Sequence, residues 1–192
     1  AIAQLKTANR DQSQKTTKIK VYLRSEKVPR ELAVRIMNYV DFVFHKRSVK
    51  RLDPITLEMI PNKLRMEVFA AKYREVLNQH PLFALLYDAD ANACGRICKL
   101  LTSHAHQENE IIFTYNTIAS GMHITLSGSY EQSVSLTETQ TYTGTHFFAD
   151  LALFTNTFHL SSLKSTTRGE ICLLKGSDLL EGVSNSPHIV IT

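Results

Sequence analysis

The chain has 192 residues, 43% of them apolar and 21% charged, which is the balance of a folded globular protein and excludes a disordered tail or a fibrous repeat. Its length suits one compact domain, or a small domain with a helical extension. No run of 18 or more apolar residues is free of charge, and no basic, apolar, small-residue leader is present, so a soluble cytosolic region is expected. Three cysteines, Cys94, Cys98 and Cys172, are too few and odd in number for a disulfide framework, in keeping with a reducing compartment. The net charge of +4 hides a division. Up to Ser103 there are 19 Lys and Arg against 10 Asp and Glu; after it there are 3 against 8. The halves carry +9 and −5. Leu, Ala, Lys and Arg dominate the first, while Thr, Ser, Phe and Ile with punctuating Gly dominate the second. A basic helical module followed by an acidic β-rich one is the reading.

Taken in chain order, Lys6 to Lys27 is polar and basic with few apolar anchors, so it is a helix that needs a partner or a frayed end. Pro29 suits the first turn of a new helix, where a missing N–H costs nothing. Leu32, Ile36, Tyr39, Val40 and Val43 then make an apolar stripe at helical spacing, and the helix is expected to close in the basic run His45, Lys46, Arg47, Lys50, Arg51. Asp53 and Pro54 predict a short helix reaching Ile60. Pro61 and Asn62 open a longer one with two apolar faces, Leu64, Val68, Ala71 and Phe69, Tyr73, Val76; a single core cannot take both, and a subunit contact would cover the second. His80 and Pro81 break the pattern before the short apolar segment Leu82 to Leu86. Asp88 or Asp90 caps a last helix carrying Ala93, Ile97, Leu100 and Leu101.

Beyond Ser103 short β-type runs follow at the spacing of a sandwich or barrel: Ile111 to Thr114, Met122 to Leu126, Val134 to Tyr142, Phe158 to Lys164 and Glu170 to Leu174. Gly121, Gly128, Gly144, Gly169 and Gly176 mark turns. Phe147 to Phe154, FFADLALF, is too apolar for a loop and too short for an ordinary helix, which predicts a single-turn insert. A short helix, Ser177 to Val183 with Ser177 or Asp178 as cap, precedes Pro187 and the apolar tail His188 to Ile191.

Local signatures of catalysis are missing: the chain contains no GxSxG, HExxH, GxxxxGK[ST] or GxGxxG, and no enzyme activity is expected. Cys94 and Cys98, four apart on a predicted helix, with His104 and His106 nearby, have zinc-ligand chemistry but not the spacing of a closed site, so they are read as packing residues with no metal. His104 and His106 alternate on a strand and are read as surface residues. The basic cluster His45 to Arg51 lacks the aromatic interleaving of a nucleic-acid surface. A solvated helix end is the plain reading, and a subunit or anionic-lipid contact the sharper one.

The order of these pieces resembles the C-linker and cyclic-nucleotide-binding homology region of tetrameric cation channels of the hyperpolarisation-activated, cyclic-nucleotide-gated and ether-à-go-go kinds. KVPRELAVRIMNYVDFVF (Lys27 to Phe44) is similar to the family's segment VP-x-x-L-x-x-R-[IV]-x-x-Y, and Leu57 to Phe83 resembles the later linker helices. NEIIF followed by GMHITLSG (Gly121 to Gly128) resembles a strand pair of the roll. FFADLALF resembles the phosphate-binding cassette FGE-[IL]-x-LL.

The resemblance implies an α+β fold: a helical C-linker over residues 1–87, then a jelly-roll-like antiparallel β-roll over residues 88–192 with a short helical cassette and a C-terminal helix. It implies a cytoplasmic gating region beneath the membrane, a homotetramer through the linker, coupling to the channel's own pore, and anionic lipid near Lys46, Arg47, Lys50 and Arg51, with no nucleic-acid partner. It places the ligand positions at Phe148, Ala149, Asp150, Leu151, His159 and Leu160. There the departures decide the expectation. Ala149 stands where binders have Gly, and its Cβ crowds a phosphate. Asp150 is one methylene shorter than the family's Glu. His159 and Leu160 replace an Arg and a Thr or Ser, which removes a permanently charged bidentate fork. The implied pocket is degenerate, with no cofactor in place of cAMP or cGMP, and the tail Pro187 to Thr192 is either a lid helix or a plug. Rival readings are a true cAMP or cGMP sensor, a kinase-regulatory or transcription-regulator module, and a small enzyme.

Overall fold

The computed structural model describes residues 2–50, 59–134, 138–184 and 186, with side chains from residue 13 onward except those of residues 42–50. Of the predicted helix over 53–60 only Met59 and Ile60 are described, in a turn and a bend; its other residues, the side chains of the basic run 45–51 and the tail 187–192 lie outside the described residues. Two units pack separately, residues 1–54 and 55–192.

In the first unit, α1 (Ile2–Ser25) and α2 (Arg30–Lys50) pack on each other. The polar segment from Lys6 to Lys27 is thus largely helical. It ends in a left-handed residue, Lys27, at φ 50°. The Val28 N–H donates to the Leu23 carbonyl and the Lys27 N–H to the Arg24 carbonyl, both at 3.1 Å, a pairing that satisfies the last carbonyls of a helix and normally uses Gly at the turning residue. Pro29 then enters α2, and its carbonyl accepts the Ala33 N–H at 2.9 Å. Leu23 is buried, but of the predicted α2 stripe Leu32 is exposed, while Ile36, Tyr39 and Val40 are half-buried.

The second unit has helices α3 (Asn62–Leu77), α4 (Pro81–Ala89), α5 (Ala91–Leu100) and α6 (Gly176–Val183), and eight strands in two antiparallel sheets. With α1 and α2 this gives an α+β protein of six helices and two four-stranded sheets among the described residues. No described helix is long and apolar enough to cross a membrane. His80 caps α4, its ring Nδ1 accepting the Leu82 N–H, and Asp90 caps α5 by accepting the Asn92 N–H at 2.9 Å, which selects Asp90 over Asp88. At α6 the cap position is Lys175 rather than Ser177 or Asp178, and the Asp178 carboxylate reaches back to the Lys175 N–H.

The first sheet runs β1 (Thr102–His106), β8 (Gly169–Leu174), β3 (Met122–Ser127), β6 (Phe147–Phe148); the second runs β2 (Ile111–Phe113), β7 (Ser162–Ser165), β4 (Ser129–Ser133), β5 (Thr139–Thr143). Because strand side chains alternate, the first sheet serves two cores. Met122, Ile124, Cys172 and Leu174 pack with Tyr73 and Leu77 of α3, Phe83 of α4, Cys94, Ile97 and Cys98 of α5, and Leu179 and Val183 of α6. The alternate residues Ile171 and Phe148 instead join Phe113, Tyr130 and Leu163 of the second sheet. Of the two apolar faces expected on α3, the one bearing Phe69, Tyr73 and Val76 takes the core, and Leu64 and Val68 stay exposed.

The strand Val134 to Tyr142 is corrected. Ser129–Ser133 and Thr139–Thr143 form a hairpin in register Ser133↔Thr139, and Val134 donates to the Glu138 carbonyl at 3.1 Å. The polar sequence SYEQS carries one buried aromatic, Tyr130, in place of an apolar alternation, so no periodicity announced it. Between β3 and β4, Gly128 turns at φ 97°, and a Cβ there would meet the Gly169 Cα of β8 at 2.7 Å, so neither the conformation nor the space suits another residue.

One polar clamp joins the helices. The Arg96 guanidinium donates through Nε to the Gly182 carbonyl at 2.7 Å and through Nη2 to Ser186 Oγ at 2.6 Å. Ser186 in turn donates to Asp90 Oδ2 at 2.7 Å, and Arg96 reaches that same oxygen at 3.4 Å. The Ser186 hydroxyl holds the Asp90 carboxyl below its ordinary range.

Candidate functional site

FFADLALF resolves into a two-residue strand, a left-handed turn and a single turn of 3-10 helix, each with a separate burial task. Phe147 and Phe148 pair with Ile124 and His123 of β3, so alternation sends Phe147 toward the helical core and buries Phe148 between the sheets. Ala149 then adopts φ 58°, ψ 40°, a conformation that costs a non-Gly residue roughly 1–2 kcal/mol. The 3-10 turn Asp150–Leu153 follows, burying Leu153 and leaving Leu151 and Phe154 exposed. Asp150 Oδ1 accepts the Leu151 N–H at 3.0 Å, so a carboxylate already occupies the first free amide of that turn.

The segment 157–161 alternates in the same way. Ala119 donates to the Thr157 carbonyl at 2.9 Å, His159 donates to the Thr117 carbonyl at 2.8 Å, and Asn116 donates to the His159 carbonyl at 2.8 Å. This stitching turns Phe158 and Leu160 outward, the latter 76% exposed, and His159 and Ser161 inward, at 5% and 6%. The predicted strand Phe158 to Lys164 therefore begins as a bridge between Phe158 and Ile118 and becomes β7 only at Ser162. The His159 ring stacks on Phe113, centroids 4.0 Å apart and planes within 6°.

All six sequence-predicted positions, Phe148, Ala149, Asp150, Leu151, His159 and Leu160, line one cavity of about 290 Å³. Sequence reasoning missed the rest of its wall: Phe113, Gln132, Tyr142, His146 and Ser161 among others. Gln132 and Tyr142 sit on the two strands of the unrecognised hairpin. Tyr142 donates its hydroxyl to Gln132 Oε1 at 2.8 Å, and Gln132 Nε2 donates to Ser161 Oγ at 2.7 Å. Tyr142 also meets Phe148 edge-on, with centroids 5.2 Å apart, and His146 at 4.9 Å.

The charge of this wall is simple. No Lys or Arg among the described residues lines it, and Asp150 is its one carboxylate. Burial pushes His159 below the ordinary imidazole range. Behind it on β3, burial and then the neighbouring His159, His106 and His104 push His123 down to about 4. Both imidazoles are neutral at pH 7, so neither substitutes for a guanidinium.

The zinc-type residues do not assemble. Cys94 and Cys98 are buried in the helical core and hydrogen-bond to each other, and among the described residues no group of three or more His, Cys, Asp or Glu can hold a metal. His104 is exposed as read from the sequence. His106 is half-buried instead, with Nδ1 3.1 Å from Glu110 Oε1. Compared with known proteins, the chain matches no family model and no curated protein.

Proposed function

We propose that this chain is the cytoplasmic gating region of a tetrameric, potassium-type cation channel: a C-linker followed by a jelly-roll-like cyclic-nucleotide-binding homology domain whose pocket no longer holds cyclic nucleotide. The reading rests on the order of motifs in the sequence and on one structural observation. The six positions that the resemblance assigns to the ligand share a cavity that no Lys or Arg among the described residues lines and to which Asp150 adds a carboxylate. A cyclic phosphate brought there meets the Asp150 carboxylate and the neutral His159 imidazole but, among the described residues, no guanidinium, so the bidentate charge-assisted contact that would offset its desolvation is missing. The β-roll then acts as a folded element whose position biases the pore between two states, and the basic linker forms the homotetramer and lies near anionic lipid through Lys46, Arg47, Lys50 and Arg51.

Calorimetric titration with cAMP and cGMP to millimolar concentration, beside a His159→Arg, Leu160→Thr double variant, tests the pocket. The wild type is expected to be silent and the variant to gain binding. Micromolar binding by the wild type overturns the degenerate-pocket reading in favour of a nucleotide sensor. Sedimentation tests the linker: tetramers that grow with concentration are expected, and a strict monomer or dimer across the range argues for a soluble regulator module.

A further inference from the structure

A wall that cannot hold an anion still has definite chemistry. Three rings, Phe113, Phe148 and Tyr142, stand edge to face along it, with Phe113 and Phe148 centroids 6.2 Å apart and those of Phe148 and Tyr142 5.2 Å apart. The His146 ring lies a further 4.9 Å from Tyr142. Aromatic faces carry negative quadrupole charge and attract organic cations, more strongly as water is excluded. Asp150 adds a full negative charge at the same cavity, and its second oxygen, Oδ2, is not the one engaged by Leu151. The Tyr142–Gln132–Ser161 chain supplies fixed neutral dipoles from the second sheet. The volume, about 290 Å³, lies at the small end of the range for ligand sites.

We propose that this cavity is a receptor site for a small organic cation, a protonated amine carried on a flat ring. The rings of Tyr142 and Phe148 cover the flat part, backed by Phe113 with His159 stacked on it, and Asp150 pairs with the ammonium group. The inference rests on the proposed function, which takes the nucleotide's anion site to be lost, and it names what replaces the nucleotide. Three ligand classes compete for the space, and the wall separates them. An anion is repelled by Asp150. A neutral apolar molecule gains burial but takes water from the carboxylate without replacing it. A ring-bearing cation gains the same burial, keeps the carboxylate paired, and adds cation–π attraction.

The test uses three probes of matched shape and different charge, phenethylammonium, 3-phenylpropionate and 3-phenylpropanol, with cAMP as a fourth. Binding is read by calorimetry and by saturation-transfer NMR. Phenethylammonium is expected to saturate the protein at millimolar concentration or below, and phenylpropionate to leave it unchanged. Asp150→Asn keeps an oxygen for the Leu151 amide, so the turn stays folded, and it is expected to weaken phenethylammonium by about fivefold, the size of one partly exposed ion pair. Tyr142→Leu, checked for folding by circular dichroism, is expected to weaken phenethylammonium and phenylpropanol alike. Equal binding of all three ring probes, or an Asp150→Asn variant that binds the amine as well as the wild type, overturns the inference. So does silence of the amine: with cAMP also silent, the degenerate-pocket reading stands and only the cation site falls. Binding of cAMP by the wild type removes the degenerate pocket itself, whatever the amine does.

Discussion

Acidification is the perturbation that reports most directly on the interior between the two sheets. His123 lies on β3, flanked by Phe113 at 5.2 Å and by the His159 ring at 5.6 Å, with His104 and His106 of β1 contributing further like charge when protonated. An ordinary imidazole titrates at 6.5; here burial first, and those three histidines second, bring His123 to about 4. The unfolded chain therefore takes up this proton at higher pH than the folded one, and stability rises with pH across the interval. Above pH 6.5 both states are neutral and the contribution is flat. Between 6.5 and 4 stability falls, and below 4 the loss is complete. One pH unit of difference is 1.36 kcal/mol, so the full loss is about 3 kcal/mol and the loss by pH 5 about 2 kcal/mol, a large part of the 5–15 kcal/mol typical of a domain. His159, lowered by burial, adds in the same direction. The assay is urea denaturation at pH 7, 6 and 5 for the wild type and His123→Gln. The wild type is expected to lose about 2 kcal/mol more than the variant between pH 7 and 5. Parallel losses would show that His123 is not kept neutral by the fold and would refute the argument.

Two further substitutions probe the site's frame. Ala149→Gly removes the left-handed strain of roughly 1–2 kcal/mol and returns about 0.4–1 kcal/mol of chain entropy to the unfolded state, so urea melts are expected to show a net gain of about 0.5–1 kcal/mol; a loss would contradict the left-handed turn. Ser186→Ala leaves Asp90 and Arg96 to meet at 3.4 Å without the bridging hydroxyl, with an expected loss of about 1–2 kcal/mol at pH 7. Because the Asp90 carboxyl is held below 3.8, that stabilisation is present above this value and disappears as pH falls through the folded-state value. Equal stability of variant and wild type at pH 7 would exclude the clamp as a contributor.

Much of the chain was legible because single residues carry local rules. Pro29, Pro61 and Pro81 bracket helices by their missing N–H, Asp90 caps by its side chain, and Met122 to Ser127 and Gly169 to Leu174 announce themselves as β-rich runs. The cavity's first six residues, Phe148 to Leu151 and His159 with Leu160, were reached only through the family resemblance of two short segments, since nothing in their spacing brings the two together. The hairpin Ser129–Thr143 was not legible. Its buried positions are a tyrosine and polar residues that gain partners only across the strands, as Tyr142 does with Gln132 and Gln132 with Ser161. The left-handed turn at Ala149 was hidden for a related reason, because an alanine there follows from Phe148 and Leu153 being buried on either side of it. The sequence by itself determined most of the helices, the strands from Met122 and Gly169 and the division of charge, all properties of residues taken singly or at helical and strand spacing. Tertiary structure alone decided that α3 and α4 fold with the β-sheets, that Gln132, Tyr142 and His146 complete the cavity wall, and that His123 and His159 are neutral, since each of these depends on what long-range packing brings beside a residue and how much water it removes.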